Sequence, residues 1–230
     1  MADILDRTVC LKPKIILFDW DGVLVDTKDL IKEAYLRTFK ELDQEPLPID
    51  TLHQLPGTSL RDYFPRIFGK HASKAEEIFY KYVHENHLSC LKRTENSKEL
   101  LEFIASLNIP MAVVSNKRGD LLRKEIKHLE FESFFFDVVG SKDCSEDKPS
   151  DVPVRHVLGK KNISLPNEKI WFIGDWTADM ECAHASGIVP ILFNNLSLKN
   201  SKKNPFPPKI YVNSCLDLKN LLIQYIEGGN

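Results

Sequence analysis

Ile15-Ile16-Leu17-Phe18-Asp19-Trp20-Asp21-Gly22-Val23 is the stretch whose reading decides the fold. A short apolar run closed by Asp and Gly reads as a buried strand and its exit turn. In extended backbone, positions i and i+2 point the same way, so Asp19 and Asp21 can serve one side while Trp20 points to the other. Gly22 allows the sharp turn that follows. Working outward, comparable runs recur at Ile109 to Val114, ending in Ser115-Asn116-Lys117, and at Phe134 to Val139. Others lie at Ile170 to Ile173, ending in Gly174-Asp175, and at Ile188 to Phe193 and Ile210 to Val212. Helical spacing fills the intervals at 97–107, 119–129, 151–160 and 177–186, with a last helix over 216–226. Gly187 suits the position just past a helix end. Strands alternating with helices imply a parallel, doubly wound α/β sheet of Rossmann-like type with right-handed crossovers.

One block breaks the alternation. Residues 27–45, 62–68 and 72–91 carry helical spacing, with breaks at Glu45-Pro46-Leu47-Pro48 and a polar turn at Leu55-Pro56-Gly57-Thr58-Ser59. No convincing strand is expected over 27–92. The block reads as a small all-helical domain inserted after the first strand. The expected division is a core of 1–24 and 95–230 and an insertion of 25–94.

The 230 residues are 43% hydrophobic and 28% charged, with 31 basic and 33 acidic side chains. That balance excludes a disordered chain, a coiled coil and a collagen-like repeat. A net charge of −2 gives no reason to expect nucleic acid or an anionic membrane as partner. Five scattered cysteines (Cys10, Cys90, Cys144, Cys182, Cys215) form no C-x-x-C pair. They read as free thiols in a reducing compartment. Acidic residues stand where a secretory leader carries positive charge, and the expected location is the cytoplasm.

In open α/β sheets ligands bind beyond the carboxyl ends of the strands. Those ends carry Asp19 and Asp21, Ser115 and Asn116, and Asp175 with Asp179; Lys148-Pro149 lies in the loop before 151. Four carboxylates gathered at one edge repel unless their pKa values rise or a cation joins them. An oxygen-only donor set favours Mg²⁺ over zinc. One of Asp19 and Asp21 is suited to attack phosphorus and the other to move the leaving oxygen's proton. Thr177 is the expected cap of the helix that carries Asp179. His84 and His87 read as a solvated helix face, with no third metal ligand in view. Phe131, Phe134, Phe135 and Phe136 read as core. Trp20 and Trp176 sit inside the motifs, bordering the site or simply packing.

These motifs carry a family resemblance. Asp19-Trp20-Asp21-Gly22-Val23 resembles the D-x-D-G-T/V signature of the haloacid dehalogenase-like (HAD) hydrolases. Ser115-Asn116, Lys148-Pro149 and Gly174-Asp175-Trp176-Thr177-Ala178-Asp179 are similar to that superfamily's second, third and fourth motifs, in the same order. The helical block is similar to the cap of the phosphoglycolate phosphatase and β-phosphoglucomutase branch. The third motif departs from K-P-x-P, reading Lys148-Pro149-Ser150-Asp151 after Asp147, and Val stands at position 23.

The resemblance implies a Mg²⁺-dependent hydrolase of small phosphorylated metabolites, phosphoglycolate leading. Asp19 is then the nucleophile that forms an aspartyl-phosphate, and Asp21 the general acid and then base. Ser115 binds a phosphoryl oxygen with help from the backbone at Asn116, and Lys148 neutralises charge. The implied Mg²⁺ ligands are Asp19, the Asp21 carbonyl and Asp175, with Asp179 ligating or orienting a water. In that branch a glycine-containing cap loop, here Gly57-Thr58-Ser59 with Arg61, faces the site. A sugar phosphomutase of the same branch and a non-catalytic binder of a phosphorylated ligand are the alternatives.

Overall fold

The computed structural model describes residues 3–4, 12–47, 60–201 and 204–227. Cys10, Gly57, Thr58 and Ser59, and the side chain of Arg61, lie outside the described residues. In chain order the strands are β1 (Asp3–Ile4), β2 (Ile15–Phe18), β3 (Val25–Asp26), β4 (Lys92–Arg93), β5 (Met111–Arg118), β6 (Phe135–Ser141), β7 (Ile170–Gly174), β8 (Val189–Phe193) and β9 (Ile210–Val212). The α-helices are α1 (Lys28–Glu41), α2 (Leu60–Phe68), α3 (Ala72–Asn86), α4 (Ser97–Ser106), α5 (Gly119–His128), α6 (Val152–Gly159), α7 (Thr177–Ser186), α8 (Leu196–Lys199) and α9 (Cys215–Glu227).

Among the described residues the main sheet has the order β1-β9-β8-β7-β2-β5-β6. All of its neighbours pair in parallel except β1, which lies antiparallel on β9. The apolar runs form the sheet because both of its faces are covered. Side chains alternate along β2: Ile16 and Phe18 join a core with Leu100, Leu101 and Ile104 of α4, Leu122 and Ile126 of α5, and Leu218, Leu221 and Leu222 of α9. Ile15 and Leu17 join the opposite core with Val154, Val157 and Leu158 of α6 and Cys182 and Ala183 of α7. The doubly wound α/β architecture follows from that two-sided burial.

The chain runs outward from β2 to β5 and β6, then returns to the other side of β2 with β7. The winding therefore reverses between β2 and β7, where such sheets bind ligands. Asp19 follows β2 and Asp175 follows β7, so the reversal sets these two carboxylates side by side.

Helices α1, α2 and α3 build an aromatic core of their own from Tyr35, Phe39, Tyr63, Phe64, Phe68 and Phe79, with Leu121 of α5 packed against it. The Phe64 and Phe79 rings meet edge to face at 5.4 Å. Helix α1 ends at Glu41, ahead of the break expected at Pro46. The two passages between this block and the sheet pair with each other, Val25 with Arg93 and Asp26 with Lys92. That small ribbon was not expected from sequence, and neither was β1. Strand β5 also runs on past Val114 to Arg118 instead of stopping at Ser115.

One stripe of α3, continued by His87 just beyond it, faces the β5–α5 side of the sheet. Glu76 Oε1 lies 2.7 Å from Lys142 Nζ, and the Arg118 guanidinium stacks over Tyr80 at 4.6 Å. His84 sits 3.8 Å from Asp120, and His87 Nδ1 is 2.9 Å from Glu125 Oε1. The expected solvated face holds for His84, which is exposed, and fails for His87, which is buried with its Nδ1 taken by a carboxylate. Among the described residues no helix is long and apolar enough to cross a membrane, and Cys90, Cys144, Cys182 and Cys215 are free thiols.

Candidate active site

The site grows from the ends of four elements. Asp19 leaves β2 with its backbone N–H donating to the Ile173 carbonyl at 2.9 Å, and its Oδ1 accepts from the N–H of Trp20 at 2.7 Å. Gly22 has φ of +81°, and a Cβ there would strike the Asp175 carboxylate. Glycine is needed at this position twice over, for the left-handed turn and for the close approach. Gly174 plays a similar part at the end of β7, where a Cβ would collide with the Asp179 side chain.

Three of the four sequence-derived acids converge. Ligand oxygens of Asp19, Asp175 and Asp179 all lie within 4.8 Å of one another. Asp179 enters from the third position of α7, and its Oδ2 accepts from the Trp176 N–H at 2.9 Å. Thr177 is the first helical residue and not the cap expected from the sequence; Trp176 occupies the cap position and Asp179 supplies the stabilising carboxylate. Gly187, in the left-handed region, closes the same helix as expected. The main-chain carbonyl of Asp175 accepts from the Asn195 amide at 2.8 Å, which braces the loop after β7.

Among the described residues one buried cation pairs with this group. Lys148 Nζ lies 2.6 Å from Asp179 Oδ1 and 3.0 Å from Asp19 Oδ1, and the side chain is 2% exposed. Its loop is clamped by Asn116, whose Nδ2 donates to the Lys148 carbonyl at 2.9 Å while its Oδ1 accepts from the Lys148 N–H at 3.0 Å. The Asn116 side chain thus holds the third motif in place. Asp147 faces neither solvent nor Lys148: it accepts from Ser141 Oγ at 2.7 Å and from the Lys142 N–H at 3.2 Å. Ser115 is buried on β5, with its Oγ accepting from the Lys117 N–H at 3.3 Å.

One ammonium cannot balance three carboxylates. Burial pushes the Asp19 carboxyl up to about 6, with Lys148 opposing and Asp179 and Asp21 adding to the rise. Burial, then Asp179 and Asp19, raise Asp175 well above the carboxylate range. Burial alone would lower Lys148, but Asp179 and Asp19 outweigh it and hold the ammonium above the ordinary lysine range. A surplus of crowded, oxygen-only donors fits a hard divalent cation. The residues present therefore suit Mg²⁺.

Asp21 stands apart from that trio. Its Oδ1 accepts from Thr27 Oγ1 at 2.6 Å and from Lys117 Nζ at 2.9 Å. Lys117 also reaches Glu125 Oε1 at 3.0 Å, and Trp20 Nε1 donates to Glu125 Oε2 at 2.7 Å. Burial lowers Lys117, but Asp21 and Glu125 overcome it and raise the ammonium. Burial, with Asp21 adding and Lys117 opposing, lifts Glu125 to about 7, while burial and then Lys117 and Lys124 push His87 down to about 4. Trp20 is fully buried with its edge on Phe131, so it packs behind the site and does not border it.

Thr27, His87, Lys117 and Glu125 were not singled out as site residues from the sequence. Glu125 did leave a trace: it falls beside Ile126 on the inward stripe of α5 begun by Leu121 and Leu122. A charged residue in that register marks a buried polar partner.

The fold and these motifs define a class. A model of the haloacid dehalogenase-like hydrolase family matches residues 16–193, and the chain belongs to that family. It is 31% identical over 175 residues to the phosphoglycolate phosphatase of Aquifex aeolicus, covering 76% of this chain and 81% of that one. It is 28% identical over 192 residues to a phosphorylated carbohydrates phosphatase of Thermotoga maritima, covering 81% and 88%. A crystal structure of a HAD-superfamily hydrolase from Ehrlichia chaffeensis superposes with a TM-score of 0.63 at 26% identity, over 94% of this chain and 98% of that one. These relatives put the chain among the phosphatases of the family, in its phosphoglycolate phosphatase branch.

Proposed function

We propose that this protein hydrolyses phosphate monoesters of small metabolites by transferring the phosphoryl group to Asp19, with 2-phosphoglycolate the leading substrate. The observation that carries the reading is the cluster at the winding reversal: Asp19, Asp175 and Asp179 within 4.8 Å of one another around the buried ammonium of Lys148. Such a cluster is suited to a divalent cation, which together with Lys148 would neutralise a phosphoryl group.

Asp19 attacks phosphorus through one carboxylate oxygen as the ester P–O bond breaks. Asp21 gives its proton to the leaving oxygen, then takes one from the water that attacks the aspartyl-phosphate. Inorganic phosphate departs and Asp19 is restored. Ser115 Oγ and the backbone N–H of Asn116 hold phosphoryl oxygens, and Lys148 compensates the charge that builds on Asp19 and the transferred group. Asp19, the carbonyl of Asp21, Asp175 and Asp179 would hold Mg²⁺, Asp179 directly or through a water. The bound ion supplies Lewis-acid charge neutralisation at the phosphoryl oxygens.

Residues 25–94 act in this reading as a cap over a core of 1–24 and 95–230. Two features support it: the separate aromatic core of α1–α3, and the β3–β4 ribbon through which the block joins the sheet. The substrate is a small molecule, in keeping with the phosphoglycolate and phosphorylated-carbohydrate phosphatases among its relatives.

The test is phosphate release from a panel holding 2-phosphoglycolate, hexose phosphates and pyrophosphate, with Mg²⁺ and with EDTA. Metal-dependent release highest on 2-phosphoglycolate is expected. A preference for hexose phosphates would move the substrate assignment. Isomerised sugar phosphate in place of free phosphate, or tight binding with no turnover, would contradict hydrolysis.

A further inference from the structure

Glu125 is a fully buried carboxylate with three partners from three parts of the molecule. Its Oε2 accepts from the Trp20 indole N–H at 2.7 Å, between the two aspartates of the first motif. Its Oε1 lies 3.0 Å from Lys117 Nζ and 2.9 Å from His87 Nδ1, just past the end of α3. Lys117 in turn sits 2.9 Å from Asp21 Oδ1 and is itself buried. Burying a carboxylate is costly unless it is fully hydrogen-bonded. An apolar side chain in the same register of α5 would pack against Leu122 and Ile126 without that cost.

Lys117 therefore divides its charge between Asp21 and Glu125. Its ammonium is in contact with both, 2.9 Å from Asp21 Oδ1 and 3.0 Å from Glu125 Oε1, so neither carboxylate has its whole charge. We propose that Glu125 is a positioning residue for Asp21: by sharing the Lys117 ammonium it weakens that ammonium's hold on the Asp21 carboxylate, so that Asp21 is oriented yet free to reach the leaving oxygen. This rests on the reading of Asp21 as general acid. Glu125 touches neither substrate nor the reacting atoms and acts only through Lys117.

The distinguishing measurement is dependence on the leaving group. An alkyl alkoxide must receive the Asp21 proton as its P–O bond breaks, whereas p-nitrophenolate leaves as the anion. In Glu125→Gln, Lys117 holds Asp21 with its undivided charge and proton delivery falls. The expected result is a fall in kcat of about 10–100-fold on an alkyl phosphate, with less than about threefold on p-nitrophenyl phosphate and little change in KM on either. Equal losses on both esters would mean a merely structural role and overturn the proposal.

Glu125→Gln combined with Lys117→Met removes the charge pair together, which buried pairs tolerate better than loss of one partner. The double variant keeps the fold testable if the single one is unstable. With no ammonium left to hold Asp21, its ratio of alkyl to aryl turnover should return to within about threefold of wild type. A ratio still depressed tenfold or more would overturn the proposal. A wild-type enzyme that turns over neither ester would instead contradict the phosphatase reading, so the two failures are distinguishable.

Discussion

Two charge clusters sit on either side of the first motif, and they are built on opposite plans. Around Lys148 three carboxylates share one ammonium, and the surplus shows as raised Asp19 and Asp175 carboxyls. Around Lys117 two carboxylates share one ammonium, and an indole, a threonine hydroxyl and an imidazole complete the hydrogen bonds. The first cluster carries a surplus of negative charge, an oxygen-only donor set compatible with a hard divalent cation. The second is closed by the chain itself. Trp20 lies between them, its backbone N–H on Asp19 and its indole on Glu125. An overcharged site is suited to bind charge, and a satisfied one to hold a neighbouring group in place.

The sharpest way to break this contrast is Lys148→Met. It strips the cluster of the buried ammonium that pairs with Asp19 and Asp179 and leaves those carboxylates unpaired. We expect a loss of about 3–5 kcal/mol in metal-free stability by chemical denaturation, and a drop in phosphate release of about 10²–10³-fold. A variant as stable and active as wild type would mean that Lys148 does not balance the cluster.

The pH dependence of the metal-free protein comes next. The Asp19 carboxyl is raised from 3.8 to about 6. Below about pH 4 it is protonated in both folded and unfolded chains and contributes nothing. Between about 4 and 6 the unfolded chain releases a proton that the folded chain keeps, so stability falls as pH rises, by up to about 3 kcal/mol. Asp175 pushes in the same direction. The difference between wild-type and Asp19→Asn stability curves isolates the Asp19 part; a flat difference over that window would refute it.

Smaller effects of opposite sign should follow when one carboxylate is neutralised in each cluster. Glu125→Gln opens a satisfied network and should destabilise the metal-free protein by about 1–3 kcal/mol. Asp175→Asn relieves crowding and should raise the metal-free Tm by about 2–4 °C, while abolishing the stabilisation that Mg²⁺ gives wild type. Calorimetry on both variants with and without Mg²⁺ checks the pair. Changes of the same sign would erase the distinction between the two clusters.

Much of this was legible from residue order. Buried strands with two covered faces are continuous apolar runs, so β2, β7 and β8 announce themselves, and their polar ends carry the motifs. Strand β1 and the β3–β4 ribbon have two residues per strand, too short for any periodicity to register. The end of β5 misleads because Ser115-Asn116-Lys117-Arg118 looks like a polar stop. The strand continues because Lys117 finds Asp21 and Glu125 inside the protein. His87 was hidden for the same reason: a histidine three positions after another on a helix reads as surface until its partner, Glu125 of α5, is seen. What was missed is pairing between segments far apart in the chain, which local pattern does not record.

The most direct test of the account is to look for the covalent step on Asp19. Enzyme mixed with a substrate ester and Mg²⁺ and quenched in acid within one turnover should carry one phosphoryl group on the peptide containing Asp19, by mass spectrometry. Asp19→Asn should carry none, and its phosphate release should fall by about 10³-fold or more. Full turnover with no phosphoryl group on that peptide, or an active Asp19→Asn, would contradict the mechanism.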